Sequence, residues 1–146
     1  MNEKFRIAIA GIGGVGGYVG GKLATKYHLS SEIEIIFIAR GENEKVIQKN
    51  GLKLITPQGE ETCFPAIITH ELDKTGPVDL LICCVKNYDL ENTFKTLSPY
   101  ITDSTIILPL ANGLDTAYKI NFCNPLTGFA TSCIILFYKH IVDTLH

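Results

Sequence analysis

The sequence predicts an α/β fold, a doubly wound and mostly parallel sheet with helices on both faces. Three observations carry this. Short apolar runs of strand character alternate with stretches of helical periodicity along the chain. Two of those runs, residues 33–39 and 78–85, are almost continuously apolar, as strands covered on both faces are. A cluster of glycines follows the first run at once and opens a helical stretch.

Taken in order, Phe5–Ala10 is a short apolar run and reads as a buried strand. From about Val15 to Tyr27 the pattern is helical, with Val15, Val19, Leu23 and Tyr27 spaced by four. Gly20 and Gly21 weaken an exposed helix by about 1 kcal/mol each, so they point to a helix lying close against a sheet. Tyr18 is expected to pack. Residues 33–39 form the second strand and 42–50 a short helix, with Asn50-Gly51 as its stop. Residues 52–56 and 62–68 read as a hairpin around the turn-like 57–61, Pro65 marking the second arm as an edge strand. A buried strand at 78–85, a helix at 88–97 closed by Ser98-Pro99, and a strand at 105–108 follow. A helix at 115–122 and a last apolar run at 129–137 complete the pattern. No repeat, low-complexity stretch or linker divides the chain, so residues 1–146 are expected to be one domain.

Gly11-Ile12-Gly13-Gly14-Val15-Gly16 fits G-x-G-x-x-G between a strand and a helix. In that context Gly11 permits the tight turn, Gly13 lets backbone approach a pyrophosphate, and Gly16 allows close helix–strand packing. The free N–H groups and positive dipole end of the helix then face the phosphates. The motif and its setting are those of a Rossmann-type dinucleotide site. Ile12, Gly14 and Val15 complete the candidate loop. At the tip of the second strand, where an NAD site usually carries a carboxylate for the ribose 2′-OH, stands Ala39-Arg40-Gly41. The Arg40 guanidinium suits a 2′-phosphate, so NADP is the expected cofactor.

Lys86 directly follows the strand 78–85, and Asn112 follows 105–108 after a short turn. Both therefore belong to the carboxyl edge of the sheet, where ligands bind. Lys86 is either a second cation near the cofactor or a solvated loop lysine. Asn112 either bonds a ribose hydroxyl or substrate oxygen, or caps the next helix. His28, His70, His140 and His146 form no recognisable pair with a carboxylate or nucleophile. Asp89 and Glu91 read as solvated helix-start charges. The five cysteines, Cys63, Cys83, Cys84, Cys123 and Cys133, lack metal-site spacing and are expected to be buried reduced thiols. No metal site is expected.

Composition narrows the function classes. Hydrophobic residues make up 46% and charged residues 19%, which places the chain among folded globular domains rather than disordered ones. With a net charge of −2 and scattered Lys and Arg there is no nucleic-acid footprint. No apolar run reaches the roughly 18 residues of a membrane span. The N-terminus is a poor secretory signal, and a cytoplasmic location is expected.

Four blocks in order resemble the ketopantoate reductases (2-dehydropantoate 2-reductases). They are Ile9-Ala10-Gly11-Ile12-Gly13-Gly14-Val15-Gly16-Gly17-Tyr18; Phe37-Ile38-Ala39-Arg40-Gly41 with Asn50-Gly51-Leu52-Lys53-Leu54; Asp79-Leu80-Leu81-Ile82-Cys83-Cys84-Val85-Lys86 with Tyr88-Asp89; and Asn112-Gly113-Leu114. The resemblance implies NADPH-dependent reduction of ketopantoate to pantoate, toward pantothenate and coenzyme A. By that analogy the Gly11–Gly16 loop holds the pyrophosphate, and Arg40 and Lys86 lie around the adenosine 2′-phosphate. Asn112 touches both cofactor and keto-acid substrate. A later stretch, residues 128–134, is expected along the cofactor, although its residues match poorly. Family members carry a second, helical domain that supplies the general-acid lysine. This chain stops at His146 without it, so no catalytic residue is assigned and turnover by the chain alone is not expected. Docking to a helical domain or to a second copy is expected instead. A non-catalytic NADP-binding or sensing module, and a reductase of another small ketone, are the alternative readings.

Overall fold

The computed structural model describes residues 3–110. In chain order these form β1 (Phe5–Ala10), α1 (Gly14–Tyr27), β2 (Ile33–Ile38), α2 (Glu42–Asn50), β3 (Leu52–Thr56), β4 (Gly59–Cys63), β5 (Ile67–Thr69), β6 (Leu80–Cys83), α3 (Leu90–Leu97) and β7 (Ile106–Pro109). Five strands make a parallel sheet in the order β5-β2-β1-β6-β7, and β3 and β4 pair separately as an antiparallel hairpin. The expected doubly wound α/β architecture is present. The expected helix at 115–122, the run at 129–137, Asn112, the stretch 128–134, Cys123, Cys133, His140 and His146 lie outside the described residues.

Alternation along β1 explains the two layers. Ile7 and Ile9 join a buried cluster with Ala24 of α1 and Phe37 of β2. Ala8 and Ala10 point the other way, into a cluster with Leu81, Cys83, Ile107 and the α3 residues Leu90, Phe94 and Leu97. The α3 anchors stand four and three residues apart, on the inward stripe of a short amphipathic helix. Cys83 and Cys84 fall in opposite layers, as neighbours on an extended chain must.

The face that α1 turns inward is not the Val15-Val19-Leu23-Tyr27 row alone. Its buried residues are Gly16, Gly17, Gly20, Gly21 and Ala24. A Cβ on Gly20 would stand 2.9 Å from Phe37 Cε1, and one on Gly21 2.6 Å from Leu54 Cδ1 and 3.1 Å from Cys63 Sγ. The helix is thus wedged between the sheet and the hairpin, and only glycine lets both approach. An ion pair from Lys22 to Glu61 closes the outer side. Val15 and Tyr18 stay 55% and 54% exposed, so Tyr18 does not pack as expected. It lies on the outward face because the glycines take the inward one.

The second arm of the hairpin also differs from expectation. The run 62–68 is divided at Pro65, which has no N–H to give to a ladder. Its first part ends β4, which turns tightly after β3 through Pro57 and Gln58. Its second part becomes β5, the edge strand of the main sheet. Helix α3 begins at Leu90 rather than Tyr88, since Lys86 to Asp89 form a turn in which Asp89 N–H donates to the Lys86 carbonyl at 2.9 Å.

Asp79 ties three strands at their entry. Its carboxylate accepts the Arg6 N–H at 2.7 Å, its own N–H donates to the Arg6 carbonyl at 3.0 Å, and its carbonyl accepts Ile106 N–H at 2.8 Å. Asp79→Ala leaves the half-buried Arg6 N–H without its charged acceptor, a loss of about 2 kcal/mol. Thermal unfolding is expected to fall by about 4–8 °C. A melting point within about 1 °C of wild type would show that water replaces the carboxylate.

Candidate functional site

Parallel strands put the exits of β1, β2 and β6 on one edge of the sheet. The chain winds outward from β1 through β2 to β5, then crosses back to β6 on the other side of β1. The crevice between the β1 and β6 exits is therefore the switch point, where open α/β sheets hold ligands. A groove of about 490 Å³ opens there, within the range of ordinary small-molecule sites.

Its floor is the glycine loop, and packing constrains its glycines differently. Gly11 has φ +88°, and a Cβ on it would stand 2.9 Å from the Val85 backbone nitrogen. The loop thus lies hard against the exit of β6, where Cys84 N–H donates to the Ala10 carbonyl at 2.8 Å. A Cβ on Gly16 would overlap the Gly11 carbonyl oxygen and stand 3.0 Å from Cys84 Cβ. Gly13 is the opposite case. It lines the groove, its φ is −99°, and no protein atom lies within 4 Å of where its Cβ would be. Protein packing makes no demand for glycine there, so the open cradle fits a group that comes from outside.

Behind the cradle stands the N-terminus of α1. Gly13 gives no side-chain cap, and the first turn holds no acidic residue. The first turns of α2 and α3 carry Glu42 and Glu44, and Glu91. The unpaired N–H groups and the positive dipole end of α1 are thus left open to an anion. The donor set suits the diphosphate of a dinucleotide.

Of the candidate residues, Gly11, Ile12, Gly13, Arg40 and Lys86 line the groove together. Gly14, Val15 and Gly16 do not; they form the first turn of α1 behind it. Arg40 follows β2, exposed, with no ion pair to any described residue. Lys86 Nζ stands 5.9 Å from the Tyr88 ring centroid. Two cations from separate strand exits therefore share one groove, with Asp89 also in its lining.

Asn43, His70, Thr93 and Thr96 also line the groove and were not singled out from the sequence. His70 does have a carboxylate partner, contrary to expectation. Its Nδ1 lies 2.6 Å from Glu44 Oε2, and its backbone N–H donates to Glu44 Oε1 at 3.3 Å. The fold brings them together because β5 and α2 are adjacent, a link of 26 residues that no local pattern shows. Thr93 did leave a signal, a polar residue on the inward stripe of α3.

The described thiols are free, and burial disfavours their thiolates. Burial pushes the Cys83 thiol up to about 11 and raises Cys84 and Cys63 as well, so all three stay protonated at neutral pH. Among the described residues no cluster of His, Cys, Asp and Glu suits a metal ion, and no helix is long and apolar enough to cross a membrane.

Comparison with known proteins gives the groove its context. The family model described as ketopantoate reductase PanE/ApbA matches residues 7–124. A 2-dehydropantoate 2-reductase of Mesorhizobium japonicum is 30% identical over 84% of this chain and 36% of its own length. The crystal structure of 2-dehydropantoate 2-reductase from Porphyromonas gingivalis superposes with a TM-score of 0.77 at 35% identity, over 84% of this chain and 44% of that one. A ternary structure of D-mandelate dehydrogenase with NADH and anilino(oxo)acetate superposes at 0.68 and 27% identity, over 82% of this chain and 38% of that one. The chain spans about a third of the length of the curated relatives it matches.

Proposed function

The chain belongs to the ketopantoate reductase PanE/ApbA family, and on that premise we propose that it is the NADP-binding part of an NADPH-dependent reductase of 2-dehydropantoate. The product is pantoate, a precursor of pantothenate and coenzyme A. The observation that carries the cofactor reading is the Gly13 cradle: open space in front of an uncapped helix N-terminus, with Arg40 and Lys86 on the same groove.

In this reading the α1 N–H groups hold the diphosphate, and Gly11 and Gly16 keep the loop close enough to β6 for it to fit. Arg40, with its planar fork of donors, takes the 2′-phosphate, and Lys86 adds a second charge. When bound, the reduced nicotinamide supplies the hydride for the ketone carbon. The developing alkoxide requires a proton donor, which we assign to a lysine of a further helical domain. Asn112 orients both cofactor and keto acid. The partners proposed are therefore a small keto acid and either a helical domain or a second copy of this chain.

A second reading keeps the fold and changes the ligands. D-mandelate dehydrogenase, at 27% identity, holds NADH and a different 2-oxo compound. A reductase of another 2-oxo acid, using NADH, is favoured by that likeness.

Calorimetric titration with NADPH and NADH separates the two. The expected result is at least about tenfold tighter binding of NADPH. Arg40→Ala should then weaken NADPH by about tenfold and change NADH by less than about twofold. Equal affinity for both favours the second reading. Binding of neither nucleotide overturns the cofactor assignment.

A further inference from the structure

We propose that His70 is a positioning residue for nucleotide selection: it holds the Glu44 carboxylate, keeps that charge off Arg40, and so leaves the guanidinium to a ligand's phosphate. This rests on the reading of Arg40 as the 2′-phosphate cation given above. The observation behind it is a carboxylate that does not sit where its helix position favours.

Glu44 is the third residue of α2, whose N-cap is Gly41. A glutamate at that position commonly turns back to the N-cap N–H. Here that N–H belongs to the peptide joining Arg40 to Gly41, so the favoured place for the carboxylate is beside Arg40. Both oxygens go to His70 instead. One meets His70 Nδ1 at 2.6 Å, and the other accepts the His70 backbone N–H at 3.3 Å. The Glu44 side chain is left 17% exposed. Arg40, Asn43 and His70 line the groove, and Glu44 does not. Arg40 makes no ion pair with a described residue, although two glutamates, Glu42 and Glu44, stand in the helical turn that follows it.

The ring supplies the short bond of the two, and only the long backbone one survives its removal. Lys74 lies within electrostatic reach of Glu44, but Glu71 holds it at 2.5 Å. A carboxylate released by His70 therefore has Arg40 as its open partner. Paired there, it competes with a phosphate for the same N–H donors, and it repels that phosphate as a like charge. NADH carries a hydroxyl in place of the 2′-phosphate, so it should not sense the change. His70 thus acts on the choice between nucleotides and not on binding in general.

The test is a double-mutant cycle on the 146-residue chain. NADPH and NADH are titrated by calorimetry, and thermal melts show that each variant folds. His70→Ala is expected to weaken NADPH about fivefold, the range of an exposed ion pair, and NADH less than about twofold. His70→Asn, whose amide can replace the Nδ1 donor, should keep NADPH within about twofold of wild type. With Glu44→Gln already in place, His70→Ala should cost NADPH less than about twofold, since no carboxylate is left to release. If His70→Ala does not fold, His70→Phe, a ring without a donor, carries the cycle. A loss as large with Glu44→Gln as without it means that the ring acts on the nucleotide directly, and overturns the proposal. Equal losses on the two nucleotides, or no loss on NADPH, overturn it too. In each of these cases a wild-type preference for NADPH leaves the Arg40 reading intact. A wild-type chain without that preference overturns both.

Discussion

Gly16→Ala is expected to lower stability by about 3 kcal/mol, or about 6–12 °C in melting temperature, and to abolish nucleotide binding. Two effects compete at this position. Alanine is the better helix former by about 1 kcal/mol. Against that, the added methyl would overlap the Gly11 carbonyl oxygen and crowd Cys84 Cβ at 3.0 Å. One neighbour is backbone in a turn with φ +88°, pressed against Val85 on its other side. It has nowhere to move without opening the β1–β6 junction, so the steric term wins. Gly17, the next residue, gives the opposite sign. A Cβ there would meet Leu52 Cδ2 at 3.9 Å and Ile12 Cγ2 at 4.0 Å, ordinary contact distances. Gly17→Ala should therefore stabilise the chain by about 0.5–1 kcal/mol. Thermal melts of the two variants check the contrast. If Gly16→Ala melts at or above wild type, helix propensity dominates and the loop is softer than its geometry says.

The layered sheet was legible in the sequence because its signals are local. Strands β1, β2 and β6 are apolar runs, and the Gly11–Gly16 motif marks the junction between the first of them and α1. Arg40 and Lys86 were legible for a related reason. In a parallel sheet every strand exit lies on one edge, so a residue just past a strand is placed without knowing the tertiary structure. What the sequence hid depends on long-range packing. The 62–68 run looked like one strand, yet Pro65 lets its two parts join different sheets. The close approach of α1 at Gly20 and Gly21 was legible, but the outward place of Tyr18 was not, because the glycines that take the inward face carry no hydrophobic signal. His70 and Glu44 meet only through the adjacency of β5 and α2. Thr93 Oγ1 is buried without a hydrogen-bond partner, a property of its surroundings that no single residue type encodes.

Gly13→Val is expected to separate ligand binding from folding, whereas Gly16→Ala disturbs both. Gly13 and Gly16 stand three residues apart in one motif, but the reasons for glycine differ. Gly13 has a negative φ, which L-residues adopt, and no atom within 4 Å of its Cβ position. Replacing it loses little beyond the mild preference for glycine as an N-cap, so stability should fall by no more than about 1 kcal/mol. The branched side chain would instead occupy the groove in front of the α1 N-terminus. A diphosphate must approach that backbone to within hydrogen-bonding distance, about 3 Å. With the methyl groups in between, the N–H bonds and most of the dipole interaction are lost together. We expect at least about a hundredfold weaker binding of NADPH, equivalent to about 2.7 kcal/mol. Because the diphosphate is common to both nucleotides, NADH should weaken by a similar factor, unlike the selective effect of Arg40→Ala. A Gly13→Val chain that melts near wild type and binds neither nucleotide places the diphosphate at this helix end. Undiminished NADPH binding by the folded variant would move the diphosphate elsewhere and leave Gly13 without a functional reason.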